Sequence, residues 1–359
     1  MQRPMMHPVF RAEDVTPLKK KTPKWKLFFK NKVLAFFKNL IKSLLSSPVK
    51  VGGRRADAPE KPALAARLVR GLAYRALFLP ILLVLSTSTL VFTGTHPSVA
   101  YSATDPNSYG IYAEDITFES EDGTHLEGWI APVIDAKLII EKKDQALRRK
   151  SPAVVLVHDF AQPPQTLLPL FEPLHEDGLV VIAMGLRGCT SSTLQTAGQT
   201  FGLHEALDVK AACQLLRDQP FVDGSRIAIV GIGSGATAAV LAAKQDPQIR
   251  ATVLIDPLGD ANEILRKHVG PNKPLLTWMQ PLCKWTFELG YRVDAEEMQI
   301  DKFPEVTKFR PSLVLDSKGD SKFLSDKKKM EQLRNFLCDN LRLDRNPAKG
   351  NVSGVMTKK

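Results

Sequence analysis

The residues from Ile227 to Ala236 run Ile-Ala-Ile-Val-Gly-Ile-Gly-Ser-Gly-Ala, a buried strand that enters a glycine-rich elbow and then a helix. A strand-to-helix turn this tight lifts one side chain above the strand end, where it can attack a bound carbonyl. It needs small residues two before and two after that side chain, because a Cβ there meets folded-back backbone. Gly231 and Gly235 have this spacing, which puts Gly233 where a serine nucleophile would stand and Ser234 one step late. Taking Ser234 as the nucleophile instead places Ile232 and Ala236 at the crowded positions, and a β-branched residue fits poorly there.

The elbow resembles the G-x-S-x-G nucleophile elbow of the α/β-hydrolase superfamily, and other segments extend the likeness. Glu114 to Ser120 alternates as a strand, Asp122-Gly123 makes a hairpin turn, and His125 to Ala131 is the returning strand. This string is similar to the first hairpin of single-pass, membrane-tethered serine hydrolases of the prolyl-oligopeptidase-like and acyl-esterase branches. Ala153 to Val157 is an apolar strand ending in His158-Asp159, which resembles the His-Gly turn that builds half of an oxyanion hole. The resemblance implies that backbone N–H groups around Asp159, Phe160 and Ser234 form that hole. Asp159 stands where the family has glycine and sets a carboxylate near a developing negative charge. His158 reads as a structural histidine.

After the strand Leu179 to Met184, the run from Gly185 to Ser192 resembles the family's arginine-glycine loop, with Arg187 expected to pin it by bidentate pairing to a carboxylate. Cys189 has no elbow around it and reads as a small loop residue. Val222 to Arg226 leads into the elbow strand, Arg250 to Ile255 is the next strand, and 258–308, with four prolines and scattered large apolar residues, suits a helical cap. Pro311 to Leu315 reads as a further strand, followed by a turn in which Asp320 aligns with the family's catalytic acid. The family's histidine follows that acid, yet all seven histidines, at 7, 96, 125, 158, 175, 204 and 268, precede Asp320. Using His268 or His204 as the base requires a rearranged site.

The fold class expected is therefore α/β: a mostly parallel sheet with flanking helices and a cap. Two functions follow from the resemblance. One is a catalytically impaired relative that binds a small acyl ligand or a protein partner. The other is a serine hydrolase of ester, thioester or peptide bonds that uses Ser234 and Asp320 with an unconventional base. A third reading makes the chain an envelope scaffold that binds through its N-terminal arm.

The elements that carry these residues occupy 112–342, and what precedes them has a different character. Residues 1–75 hold 18 Lys and Arg against 4 Asp and Glu, a net +14 in a chain of +11, so the remainder carries −3. The basic character belongs to the arm, which contains no base-reading module, and no nucleic-acid partner is expected. Within the arm, Lys24 to Leu45 has the pattern of a basic amphipathic helix, suited to the anionic cytoplasmic leaflet or to a protein partner. Ser46 to Pro62 reads as a linker. Ala76 to Phe92 is uncharged, preceded by Arg67, Arg70 and Arg75 and followed by no Lys or Arg before Lys137. The expectation is a transmembrane anchor at 76–95 with the N-terminus cytoplasmic and the main domain extracytoplasmic. The alternative is export after cleavage near Ala100, where Ser98 and Ala100 give a small-x-small pattern. Lys137 to Lys150 reads as a solvated loop, and 343–359 as a polar tail. The four cysteines at 189, 213, 283 and 338 show no CxxC spacing, so neither metal nor cofactor is expected.

Overall fold

A computed structural model describes residues 64–99, 104–133, 150–189, 198–271, 274–299, 310–316 and 326–343. The arm helix at 24–45, the linker, Asp320 and the tail from 344 lie outside the described residues. The chain divides into two units, Met1–Val69 and Arg70–Lys359. Of the first, only the start of helix α1 (Leu64–Thr95) is described.

The second unit is built on a seven-stranded sheet of order β1-β2-β4-β3-β5-β6-β7. Its strands are β1 (Glu114–Glu119), β2 (His125–Ala131), β3 (Ser151–Val157), β4 (Val180–Met184), β5 (Val222–Ile232), β6 (Ile249–Ile255) and β7 (Ser312–Leu315). The pairs β1–β2 and β2–β4 are antiparallel, and β4-β3-β5-β6-β7 are parallel throughout. Parallel neighbours need helical crossovers, so both faces of the sheet are covered and its strands read as continuous apolar runs. Helices α3 (Glu205–Asp218) and α4 (Ser234–Gln245) cover one face, where Val209, Leu216 and the alanines of α4 pack on Val155 and Ile229. Helices α2 (Leu168–Glu176) and α7 (Lys327–Leu341) cover the other, with Phe171, Leu174, Leu333 and Leu337 against Leu156 and Val253. Between β6 and β7 the chain leaves the sheet to form a cap of α5 (Ala261–His268) and α6 (Gln280–Tyr291). A third apolar cluster there joins Ile264, Leu265 and Phe287 to Phe201 and, from α1, Val91.

The strands found match those expected to within a few residues, and helix α1 begins at Leu64, well ahead of the uncharged stretch that starts at 76. Helix α7 starts at Lys327, where Asp326 caps two backbone N–H groups.

Arg187, on the loop after β4, locks three elements together. Its guanidinium meets Asp208 of α3 at 2.5 Å and Asp122 of the β1–β2 turn at 2.6 Å, while its backbone N–H donates to Asp208 Oδ2 at 3.1 Å. Burial would raise the Asp122 carboxyl, but hydrogen bonds from Arg187 and Thr124 outweigh it and hold the group at about 2. Asp208 is fully buried, so Arg187→Met should strand an uncompensated charge and cost about 3–5 kcal/mol in urea denaturation. The double variant Arg187→Met/Asp208→Leu should recover a large part of that loss.

Candidate active site

Strand β5 runs through the middle of the sheet, flanked by β3 and β6, and delivers the elbow at its C-terminal end. Gly233 has φ 57° and ψ −117°, a conformation that disfavours any side chain. Its N–H donates to Ile255 O at 2.8 Å, which fixes the turn to β6. A Cβ on Gly231 would collide with the Gly235 carbonyl, and one on Gly235 would lie 2.6 Å from the carbonyls of Val157 and His158. The two flanking glycines are therefore required by backbone approach, and Gly233 is the residue at the apex. Ser234 follows as the first residue of α4 and is buried, 2% exposed.

Across from the elbow, β3 ends in His158 and Asp159. The Asp159 carboxylate turns back over the strand end, and its Oδ1 accepts hydrogen bonds from two backbone N–H groups, Phe160 at 2.7 Å and Ser234 at 2.8 Å. These are the donors expected to hold a substrate oxyanion. The Ser234 N–H sits at the N-terminus of α4, where the helix dipole favours a negative charge. A Cβ on Gly233 would run into this same carboxylate. Asp159 thus enters the site as an acceptor, and its donors are the N–H groups of Phe160 and Ser234 that the resemblance assigns to an oxyanion hole. The glycine at 233 and the aspartate at 159, read from the sequence as separate departures, are sterically one.

His158 is buried behind the turn. Its Nδ1 pairs with Asp159 O at 2.8 Å and its Nε2 accepts from Leu186 N at 3.0 Å, so the ring is neutral with the proton on Nδ1. Burial pulls it down to about 4, against the backbone hydrogen bond to Asp159. His268, from the end of α5, packs its ring on Phe160 and Phe201, with centroids 4.8 and 5.4 Å away. Burial and Lys267 lower its pKa, while Asp159 acts in the opposite direction. His204 lies against Tyr291, and burial lowers it too. Burial pushes the Cys189 thiol up to about 12, far from a nucleophilic thiolate. Gln199 donates from its side-chain amide to Cys189 Sγ and accepts from Ala161 N, while its own N–H donates to Thr95 O at the end of α1. All four cysteines are buried thiols, and among the described residues no group of three or more His, Cys, Asp or Glu could hold a metal ion.

Sequence reasoning named His268 only as a base that would need a rearranged site, and did not place Phe201 or Gln199 beside this turn. The cap and the loop at 198–201 that bring them there leave no local spacing signal.

Residues 209–270 match the family described as BAAT / Acyl-CoA thioester hydrolase C terminal, a segment that holds the elbow and α4. The esterase Pf2001 of Pyrococcus furiosus superposes with a TM-score of 0.50 at 16% identity, covering 69% of this chain and 98% of that one. The fold is that of the α/β-hydrolases. Among curated proteins, the polyketide transferase grgF of a Penicillium species is 23% identical over 148 residues. That alignment covers 41% of this chain and 46% of the transferase, so the chain spans about half of the curated relative it matches. The structure of the α/β-hydrolase GrgF from Penicillium sp. sh18 gives a TM-score of 0.47 at 15% identity, over 65% of this chain and all of that one.

In this α/β-hydrolase fold the carboxylate and the glycine should be energetically coupled. Asp159→Gly should cost about 2–3 kcal/mol through the loss of two charge-assisted hydrogen bonds, and added acetate should restore part of the thermal midpoint by refilling the hole. Gly233→Ser should destabilise the wild type more than it does the Asp159→Gly background, a non-additivity read from a double-mutant cycle. His158 gives a pH signature. Its folded value lies below the unfolded 6.5, so its contribution is complete above pH 6.5 and is lost as pH falls towards 4, a loss of roughly 3 kcal/mol. Denaturation midpoints of His158→Gln should fall less across that window than those of the wild type.

Proposed function

We propose that this chain is a membrane-anchored α/β-hydrolase-fold protein whose hydrolytic centre is closed, and that it acts by binding an acyl ligand or a protein partner at the cap. The observation that carries this reading is Asp159 Oδ1 held by the N–H groups of Phe160 and Ser234. Acyl hydrolysis builds negative charge on a carbonyl oxygen, and those donors must be free to receive it. Here they already hold a carboxylate, which would repel a second anion. At the elbow apex Gly233 offers no atom to attack with.

A second reading has its own support, and the comparisons lean towards it. The matched family is one of acyl-CoA thioester hydrolases, and the match includes the elbow. In that reading Asp159 leaves the hole when substrate enters, Ser234 attacks the acyl carbon, and His268, beside Phe160, takes the hydroxyl proton and passes it to the alcohol or thiol that departs, after which water releases the acyl group from Ser234. Asp320 is the acid proposed in that case.

Retention of α1 as the anchor, with its N-terminus cytoplasmic and the basic arm on the anionic leaflet, is supported by its docking on the cap. Thr87 Oγ1 pairs with Thr286 Oγ1 at 3.1 Å and Thr95 Oγ1 with Tyr291 OH at 2.7 Å, and Val91 is buried in the cap cluster. Cleavage near Ala100 would strip these contacts from the folded domain.

A fluorophosphonate probe separates the two readings of the site. The closed-site reading expects no labelling of the wild type and no turnover of short-chain esters or acyl thioesters. Labelling that disappears in Ser234→Ala would establish the hydrolase instead.

A further inference from the structure

Helix α1 turns many large apolar side chains outward: Phe78, Leu79, Ile81, Leu82, Val84, Leu85 and Phe92 are exposed. From Leu83 to Thr95 the face against the protein mixes Leu83, Leu90 and Val91 with the small or hydroxyl-bearing Ser86, Thr87, Gly94 and Thr95. A Cβ on Gly94 would run into the His268 carbonyl, so the two backbones approach closely. Close approach through small residues, with hydroxyls bonded across the interface, is how helices pack when both are immersed in lipid. Tyr74–Thr95, 22 residues of mean hydropathy 2.1, is long and apolar enough to cross a bilayer.

The helix hydrogen-bonded alongside it has the same outward polarity. On α6 and the turn before it, Trp278, Pro281, Trp285 and Leu289 recur at steps of three, four and four, and Trp278, Trp285 and Leu289 are 63%, 50% and 62% exposed. No charge interrupts this stripe. The nearest ionic groups, Lys284 and Glu288, stand on its flank, with Lys284 paired to Glu296 and 4.0 Å from Glu288. Tryptophan suits the boundary between headgroups and acyl chains, where one part of the ring is dry and the N–H is wet.

We propose that the Trp278–Leu289 stripe of the cap is seated in the bilayer interface beside α1, so that the cap rests on lipid and the site beneath it is reached from the membrane side. Lipid is the occupant because the stripe continues the outward apolar face of a helix already long enough to span. The proposal rests on the anchor reading of α1. It also defines the ligand class for the cap, an acyl chain drawn from the bilayer. The end of α1 reaches the loop over the hole through Gln199, which links Thr95 O to Ala161 N.

The test uses the full chain carrying Trp25→Phe, in nanodiscs of phosphatidylcholine with brominated acyl chains. Tryptophan emission should be quenched by bromine, and Trp278→Phe and Trp285→Phe should each remove a large share of the quenchable emission, leaving Trp129 as an unquenched control. Emission at 278 and 285 that ignores bromine but responds to aqueous iodide would overturn the proposal. Emission shielded from both quenchers, with two chains per disc, would assign the stripe to a second copy and also overturn it. Alkaline carbonate separates failure of the anchor from failure of the cap. Release of the chain from vesicles sinks both, whereas a retained chain with unquenched tryptophans sinks only the seating of the cap.

Discussion

One carboxylate organises the top of this sheet. Asp159 brings its carboxylate to two backbone amides, that of Phe160 in the turn after β3 and that of Ser234 at the start of α4, and at the second the helix dipole favours an anion. The same arrangement that makes an oxyanion hole effective makes it a good resting place for an internal acid. The ligation fixes the turn after β3, holds the first residue of α4 against it, and fills the space above Gly233. His158 supports the turn from below as a neutral ring between Asp159 O and Leu186 N. The carboxylate thereby joins the turn after β3 to α4.

How far the sequence could be read depended on the range of the forces involved. Strands β3, β4 and β6 were legible because parallel strands covered on both faces are apolar without interruption. The elbow was legible because backbone crowding selects glycine at 231 and 235. Arg187 was legible as a pairing residue, although only the folded chain shows that α3 and the first hairpin supply its partners, Asp208 and Asp122. The hydrogen bond from Ser234 N to Asp159 was not legible. Asp159 and Ser234 are 75 residues apart, and whether a carboxylate points into the hole or away from it is decided by a rotamer that no local pattern encodes. His268 reaches the same turn only because the cap folds back over it.

Helix α1 shows a different limit. Its apolar composition announced a span, but its two faces differ in a way that composition averages out. The hydroxyls of Thr87 and Thr95 and the absent side chain of Gly94 let it lie close against the cap. Through Gln199 its last turn is tied to the loop beside Asp159. Helix α1, the cap and the loop at 198–203 are therefore one packed body, joined by the apolar cluster around Phe201 and Phe287.

The collision between position 233 and the Asp159 side chain also gives the site a direction in sequence space. A path that installs serine at 233 first must pass through a chain in which Cβ and carboxylate claim the same volume. A path that clears 159 first meets no such barrier, but it gives up the ligation that holds the turn. The two positions are thus coupled in both directions: a side chain at 233 displaces the Asp159 carboxylate from its two donors, and clearing 159 removes the ligation that holds the turn.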